Sequence, residues 1–218
     1  MNLIFDYDGT LHNTVVTYAP AFRKAFDYLV ESGFSEPADF TDKEISYWLG
    51  YPGVEMWKMF KPDLSEEIHE NCRNIISGEM KILLGNGLAE LYDGAKDVLE
   101  ELSREHALIF LSNCMAKYAK RHIKHFGLDR YFKGVYAAED YGYIPKHEIF
   151  KKFKNEYTGG FIMIGDRHHD MEVAAVNGFP SIGCGYGYAA EGELNNADII
   201  VGNIKEIPAA VRKLCAKL

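Results

Sequence analysis

No apolar run in this chain approaches the roughly 20 residues that a membrane-spanning helix needs, so no span is expected. The amino terminus, Met1-Asn2-Leu3-Ile4-Phe5, meets a charge at Asp6 and lacks the basic region and long apolar core of a secretory leader, so none is expected either. Cysteine is scarce. The four present, Cys72, Cys114, Cys184 and Cys215, show neither a CxxC pair nor any other metal-ligand spacing. That excludes a zinc ribbon or a disulfide framework and leaves reduced, partly buried thiols in a cytoplasmic protein. Positive charge is also short, with 24 Lys and Arg against 32 Asp and Glu and a formal net charge of -8. Nucleic acid and acidic membrane are therefore excluded as default partners, although a local positive pocket stays open. There are no internal repeats or low-complexity tracts, and nothing distinguishes a monomer from a homodimer.

What is present begins at once. Leu3, Ile4 and Phe5 run straight into Asp6-Tyr7-Asp8-Gly9-Thr10-Leu11, which reads as a short buried strand breaking into a turn. In an open α/β sheet ligands bind at the carboxyl ends of the strands, so chemistry is expected here. Alternation along an extended backbone sends Asp6 and Asp8 the same way, and two carboxylates on one side repel unless a cation or a shared proton lies between them. Mg²⁺ answers that need, because it takes oxygen ligands and bridges carboxylate to substrate phosphate. A surface turn rich in Asp and Gly is the plain alternative.

The 218 residues suffice for one large domain or a core with an insert. After Leu11 the rhythm is helical. Val15, Tyr18, Ala19, Phe22, Phe26, Leu29 and Val30 recur at helix spacing, with Asn13 or Thr14 as N-cap and Gly33 as the stop. Further helices are expected over 42–49, 54–60 and from Ser65 to about Leu83, with no convincing strand, so residues 14–88 read as an all-helical insert. Beyond it, strand and helix alternate. Helices are expected at 94–105, 115–126, 146–156 and 170–177, and strands at 107–111, 135–137, 161–164, 181–183 and 198–201. A closing helix carries Ile204, Ile207, Val211, Leu214 and Leu218 on one face. Such alternation implies an α/β fold, a Rossmann-like doubly wound parallel sheet with helices on both sides, built from residues 1–13 and 89–218.

Two more strands end in polar residues. Leu108-Ile109-Phe110-Leu111 leads into Ser112-Asn113, and Phe161-Ile162-Met163-Ile164 leads into Gly165-Asp166-Arg167-His168-His169-Asp170. If strand ends share one edge, Asp6, Asp8, Ser112, Asp166 and Asp170 converge there, joined by Lys146 at the start of a helix. Taken singly, each has a plain reading as a turn, a cap or a solvated helix end. Together, one hydroxyl, one cation and four carboxylates suit a metal-bound phosphate better than a hydrolytic triad.

Asp6-Tyr7-Asp8-Gly9-Thr10, Ser112-Asn113, Lys146 and Gly165-Asp166-Arg167-His168-His169-Asp170 resemble, in order, the four motifs of the haloacid dehalogenase superfamily. The helical insert directly after the first motif is similar to the C1 cap of its phosphoglycolate phosphatase-like branch. The tail from Gly183-Cys184-Gly185-Tyr186-Gly187-Tyr188 to Ile199-Ile200-Val201 is similar to that branch as well.

That resemblance implies an Mg²⁺-dependent phosphatase acting on a small phosphorylated metabolite. Asp6 would be the nucleophile that forms an aspartyl-phosphate, and Asp8 the acid that protonates the leaving oxygen and then the base that activates water. Mg²⁺ would be held by the Asp6 carboxylate, the Asp8 main-chain carbonyl and Asp166, with Asp170 acting through water or by orienting Lys146. Thr10, Ser112, Asn113 and Lys146 would bind the phosphoryl oxygens. An aspartate at position 8 points to the phosphatase and phosphomutase branches, since the dehalogenases and phosphonate hydrolases lack one there.

Some residues depart from the commonest pattern. His12-Asn13-Thr14 stands where an apolar residue, Asp and Ser are usual, and Lys146 follows Pro145 rather than preceding a proline, with Lys151 as a weaker substitute. His168 and His169 are adjacent, and adjacent side chains make poor co-ligands. In this branch the cap supplies substrate choice, so the turn Leu49-Gly50-Tyr51-Pro52-Gly53 with Met56 and Trp57 after it, and the first cap helix with Arg23 and Lys24, are the expected specificity elements; the plainer reading of Trp48, Met56, Trp57 and Phe60 is cap core. A phosphomutase and a non-enzymatic phospho-aspartate switch are the competing readings, and phosphoglycolate, pyrophosphate, nucleotides and sugar phosphates all stay open as substrates.

Overall fold

The structure, a computed structural model, describes residues 1–217. It divides into two compact units, Met1–His12 with Leu91–Leu218, and Asn13–Glu90. The first unit is built on six parallel strands: β1 (Asn2–Phe5), β2 (Ala107–Ser112), β3 (Phe132–Ala137), β4 (Phe161–Gly165), β5 (Ser181–Cys184) and β6 (Ile199–Val201). Their order is β3-β2-β1-β4-β5-β6. Every neighbouring pair runs parallel, with Phe5 beside Phe110 on one flank and Ile164 on the other.

The near-continuous apolar runs of β1, β2 and β4 follow from burial on both faces. Leu3 and Phe5 join Leu108, Phe110, Ile162 and Ile164 in one core layer, together with Val98 and Leu99 of α5 (Ala95–Ser103), Ile123 of α6 (Ala116–Phe126) and Val211 of α9 (Ile207–Cys215). Ile4, Ile109, Leu111 and Met163 point the opposite way, against Ile149, Phe150 and Phe153 of α7 (Lys146–Phe153) and Val173 of α8 (His168–Asn177). Each large apolar side chain so buried contributes about 1.5–3 kcal/mol. The sheet order reverses at β1: the chain winds to one edge through β2 and β3, then returns to fill the other side with β4, β5 and β6. This reversal is the place where an open α/β sheet opens a crevice for a ligand.

The second unit contains α1 (Val15–Glu31), α2 (Asp42–Ser46), α3 (Gly53–Phe60) and α4 (Glu66–Gly85). Its core is aromatic: Phe22 stacks on Trp57 at 6.0 Å, and Phe26, Phe40 and Phe60 close round them edge to face. Ser65 caps α4 by accepting from the Ile68 N–H, and Thr41 and Glu44 form a reciprocal capping box on α2. Thr14 is the N-cap residue of α1, in helical conformation and without a side-chain cap, and the Asn13 side-chain amide donates to Glu90 Oε1 at 2.7 Å.

Several boundaries shift. β3 starts three residues earlier than the pattern predicts, α7 stops at Phe153 and tightens into a 3-10 turn over Lys154–Glu156, and α8 begins at His168 rather than Asp170. Ile204, expected on the closing helix, lies in a 3-10 turn before α9, and Leu218 lies outside the described residues.

Candidate active site

The site forms just past the carboxyl ends of β1 and β4. Asp6 follows β1 and is kept in the ladder by its N–H, which donates to Ile164 O at 2.9 Å. The chain then winds about one carbonyl: Tyr7 O accepts from the N–H groups of Thr10, Leu11 and His12 at 3.3, 2.9 and 2.9 Å. Gly9 makes this turn at φ +86°, where L side chains are strained, and any Cβ there would collide with the Asp166 carboxylate. Gly165 ends β4 under a similar constraint, since a Cβ would meet the Asp170 side chain. Both glycines let carboxylates approach the backbone closely.

Lys146 is the first residue of α7, and its ammonium donates to Asp6 Oδ1 and Asp170 Oδ1, each at 2.7 Å. The other Asp170 oxygen accepts from the Arg167 N–H at 3.0 Å, at the amino end of α8. Thr10 Oγ1 donates to Asp166 Oδ1 at 3.2 Å, and the Tyr188 N–H donates to Asp166 Oδ2 at 2.7 Å. One carboxylate oxygen from each of Asp6, Asp166 and Asp170 lies within 4.8 Å of the others. All three side chains and Lys146 are buried.

Burial pushes the Asp6 carboxyl up to about 7, with the Asp170 charge adding to the shift and Lys146 opposing it. Asp166 is pushed well above the usual carboxylate range by burial, then by Asp6 and Asp170. Burial works against the Lys146 charge, but Asp170 and Asp6 outweigh it and raise its pKa. Three buried carboxylates against one ammonium leave two negative charges unbalanced when all are ionised. Only oxygen donors converge, so a hard divalent cation fits both the charge and the ligand set.

Other expected residues fall as follows. Ser112 is buried at the end of β2, where its hydroxyl oxygen accepts from the Cys114 N–H at 3.3 Å, and Asn113 follows it in the bend. The Asp8 carboxylate is not part of the trio. β1 ends at Phe5, so the alternation that would pair Asp8 with Asp6 no longer operates, and Asp8 Oδ1 instead accepts from the Tyr118 hydroxyl at 2.7 Å. His168 lies 2.6 Å from Glu193 through Nδ1. In the helical unit, Arg23 donates to Phe40 O at 2.8 Å and to Asp42 at 2.5 Å, Lys24 pairs with Glu79, and Tyr51 is half-buried beside Tyr47. Trp57 and Met56 are buried core.

Two supports come from the tail that the sequence marks only as similar to the family branch, with no role attached. Arg167, buried, donates to Glu193 at 2.8 Å, and the same carboxylate accepts from the His168 and Ala190 N–H groups. Burial would raise the Glu193 pKa, but these donors outweigh it and bring it down to about 2. Glu193 thus ties the start of α8, and with it Asp170, to the loop after β5. The second support is that loop itself: the Tyr186 hydroxyl donates to Thr10 O at 2.8 Å, and Gly187 sits where a Cβ would strike Asp166 and Gly9 O. The repeated Gly-Tyr of 185–188 was the available signal.

The sequence model of the haloacid dehalogenase-like hydrolases matches residues 3–184, a span that carries Asp6, Lys146, Asp166 and Asp170. The chain belongs to that family. A 5'-nucleotidase of Pseudomonas aeruginosa is 30% identical over 88% of this chain and 86% of its own length. The pyrophosphatase PpaX of Halalkalibacterium halodurans is 24% identical over 90% and 88% respectively. The fold is shared with a crystal structure described as a predicted phosphatase from Clostridium acetobutylicum, at a TM-score of 0.83 and 23% identity over 98% of both chains. The six-stranded parallel sheet with helices on both sides is the α/β core of this hydrolase family.

Proposed function

We propose that this haloacid dehalogenase-like hydrolase is an Mg²⁺-dependent phosphatase that cleaves small phosphate monoesters, nucleoside 5'-monophosphates first among them, through a phosphoryl group carried on Asp6. The observation that carries this reading is the buried meeting of Asp6, Asp166, Asp170 and Lys146 at the sheet's reversal point. The preference for nucleotides rests on the relative named a 5'-nucleotidase.

Asp6 attacks phosphorus, the P–O bond to the leaving group breaks, and Asp8 gives its proton to the departing oxygen. Water then attacks the aspartyl-phosphate while Asp8 takes up a proton, and phosphate leaves with Asp6 restored. Lys146, Thr10, Ser112 and the Asn113 region hold the phosphoryl oxygens as charge moves across them. The Asp6 and Asp166 carboxylates with the Asp8 carbonyl would hold Mg²⁺, Asp170 supporting through Lys146. When bound, the ion offsets the excess negative charge of the carboxylates and of the phosphoryl group.

The test is phosphate release from p-nitrophenyl phosphate and from a panel of nucleotides, sugar phosphates, phosphoglycolate and pyrophosphate. Release that needs Mg²⁺ and stops with EDTA is the expected result. Turnover that survives EDTA contradicts the metal role, and no release from any ester, with a long-lived phosphoprotein instead, favours a switch.

A further inference from the structure

Asp8 lies beyond the end of β1, in an isolated bridge to His12, so the ladder of the sheet does not set the direction of its side chain. An acid that must meet a leaving oxygen needs a fixed direction. The fixing groups lie behind it. Tyr118 on α6 donates to Asp8 Oδ1 at 2.7 Å, within the short range of hydrogen bonds to a charged acceptor. His12, fully buried, brings Nδ1 to 3.4 Å from both Asp8 Oδ1 and the Tyr118 hydroxyl. Tyr7 stacks on the His12 ring at 5.2 Å with the planes 2° apart, and its hydroxyl bonds to His122 Nδ1 at 3.0 Å. His122 in turn lies against Tyr118 at 4.0 Å and edge-on to His12 at 4.8 Å.

Tyr7, His12 and His122 pack against Phe110 and Phe126 in the core, with Tyr118 half-buried beside them. Buried polar groups lower stability unless bonded, and apolar side chains of the same volume would fill the space without that cost. What this nest provides is direction.

We propose that Tyr118, backed by His12, His122 and Tyr7, is a positioning residue that aims the Asp8 carboxyl for proton transfer to the leaving oxygen. This rests on the assignment of Asp8 as the acid in the proposed phosphatase. Tyr118→Phe removes one hydroxyl and keeps the ring.

The experiment measures kcat/KM, which reports on the first chemical step, for two esters of similar shape. p-Nitrophenyl phosphate has a good leaving group that needs little protonation, whereas phenyl phosphate has a poorer one. Asp8→Asn and Tyr118→Phe are compared with the parent, with melting curves as the control for folding. The expected result is a loss on phenyl phosphate about tenfold larger than on p-nitrophenyl phosphate in both variants. If Asp8→Asn shows that dependence and Tyr118→Phe is unchanged or loses both esters equally, the positioning role is overturned and the phosphatase reading stands. If Asp8→Asn itself falls equally on both esters, Asp8 is not the acid and both assignments fall.

Discussion

Asp6 and His122 show how much a residue's surroundings decide what it does. Asp6 shares the Lys146 ammonium with Asp170, while burial raises its pKa to about 7. Asp6→Asn keeps the shape and removes the proposed nucleophile, so phosphate release is expected to fall by roughly 10³-fold or more, with the melting temperature little changed. His122 is pushed down to about 3 by burial, with His12 adding to the shift. The unfolded chain takes up that proton below about pH 6.5, whereas the folded chain does so only far lower. Acidification through that window therefore favours unfolding. In urea titrations from about pH 7 to about pH 4, the parent is expected to lose stability more steeply than His122→Gln, which has nothing to protonate. Parallel curves would show that His122 is not the group responsible.

At the scale of elements, the strand ends are legible because chemistry is written there in residue types: Asp6, Ser112 and Asp166 each close an apolar run, and Lys146 opens a helix after Pro145. The expected strand at 135–137 is shorter than β3, since Gly134 and the exposed Lys133 interrupt its apolar pattern. Gly134 is needed there for room, since a Cβ would meet Tyr157 and Tyr136. The Tyr118 to Asp8 contact was not legible, because residues 110 apart in sequence meet only through the packing of α6 on the sheet. His12 stands out in the sequence as a departure from the motif, while its neighbours Tyr118 and His122 come from α6. The loop over 185–188 gives a prediction at this scale. Gly187→Ala would push a methyl into Asp166 and the Gly9 carbonyl, so it is expected to cost about 1–3 kcal/mol of stability. Calorimetry with Mg²⁺ should show weakened binding in the same variant, whereas unchanged binding would mean that the loop does not set the position of Asp166.

For the whole molecule, the groups that bind phosphate and metal in this account all lie in the unit Met1–His12 with Leu91–Leu218. The segment Asn13–Glu90 is closed at its base, where the Asn13 N–H donates to Glu90 O at 3.0 Å. A chain with 13–90 replaced by a short glycine linker is therefore expected to keep its sheet and its rise in melting temperature with Mg²⁺. A folded protein with no Mg²⁺ shift would contradict the ligand assignment. The central claim is that Asp6 carries the phosphoryl group, and trapping tests it most directly. Excess protein is mixed with Mg²⁺ and p-nitrophenyl phosphate radiolabelled at phosphorus, then quenched in acid within the first turnover. The account predicts protein-bound label that hydroxylamine releases, that maps to the peptide containing Asp6, and that is absent from Asp6→Asn. Label on another residue, or full turnover by Asp6→Asn, would contradict it.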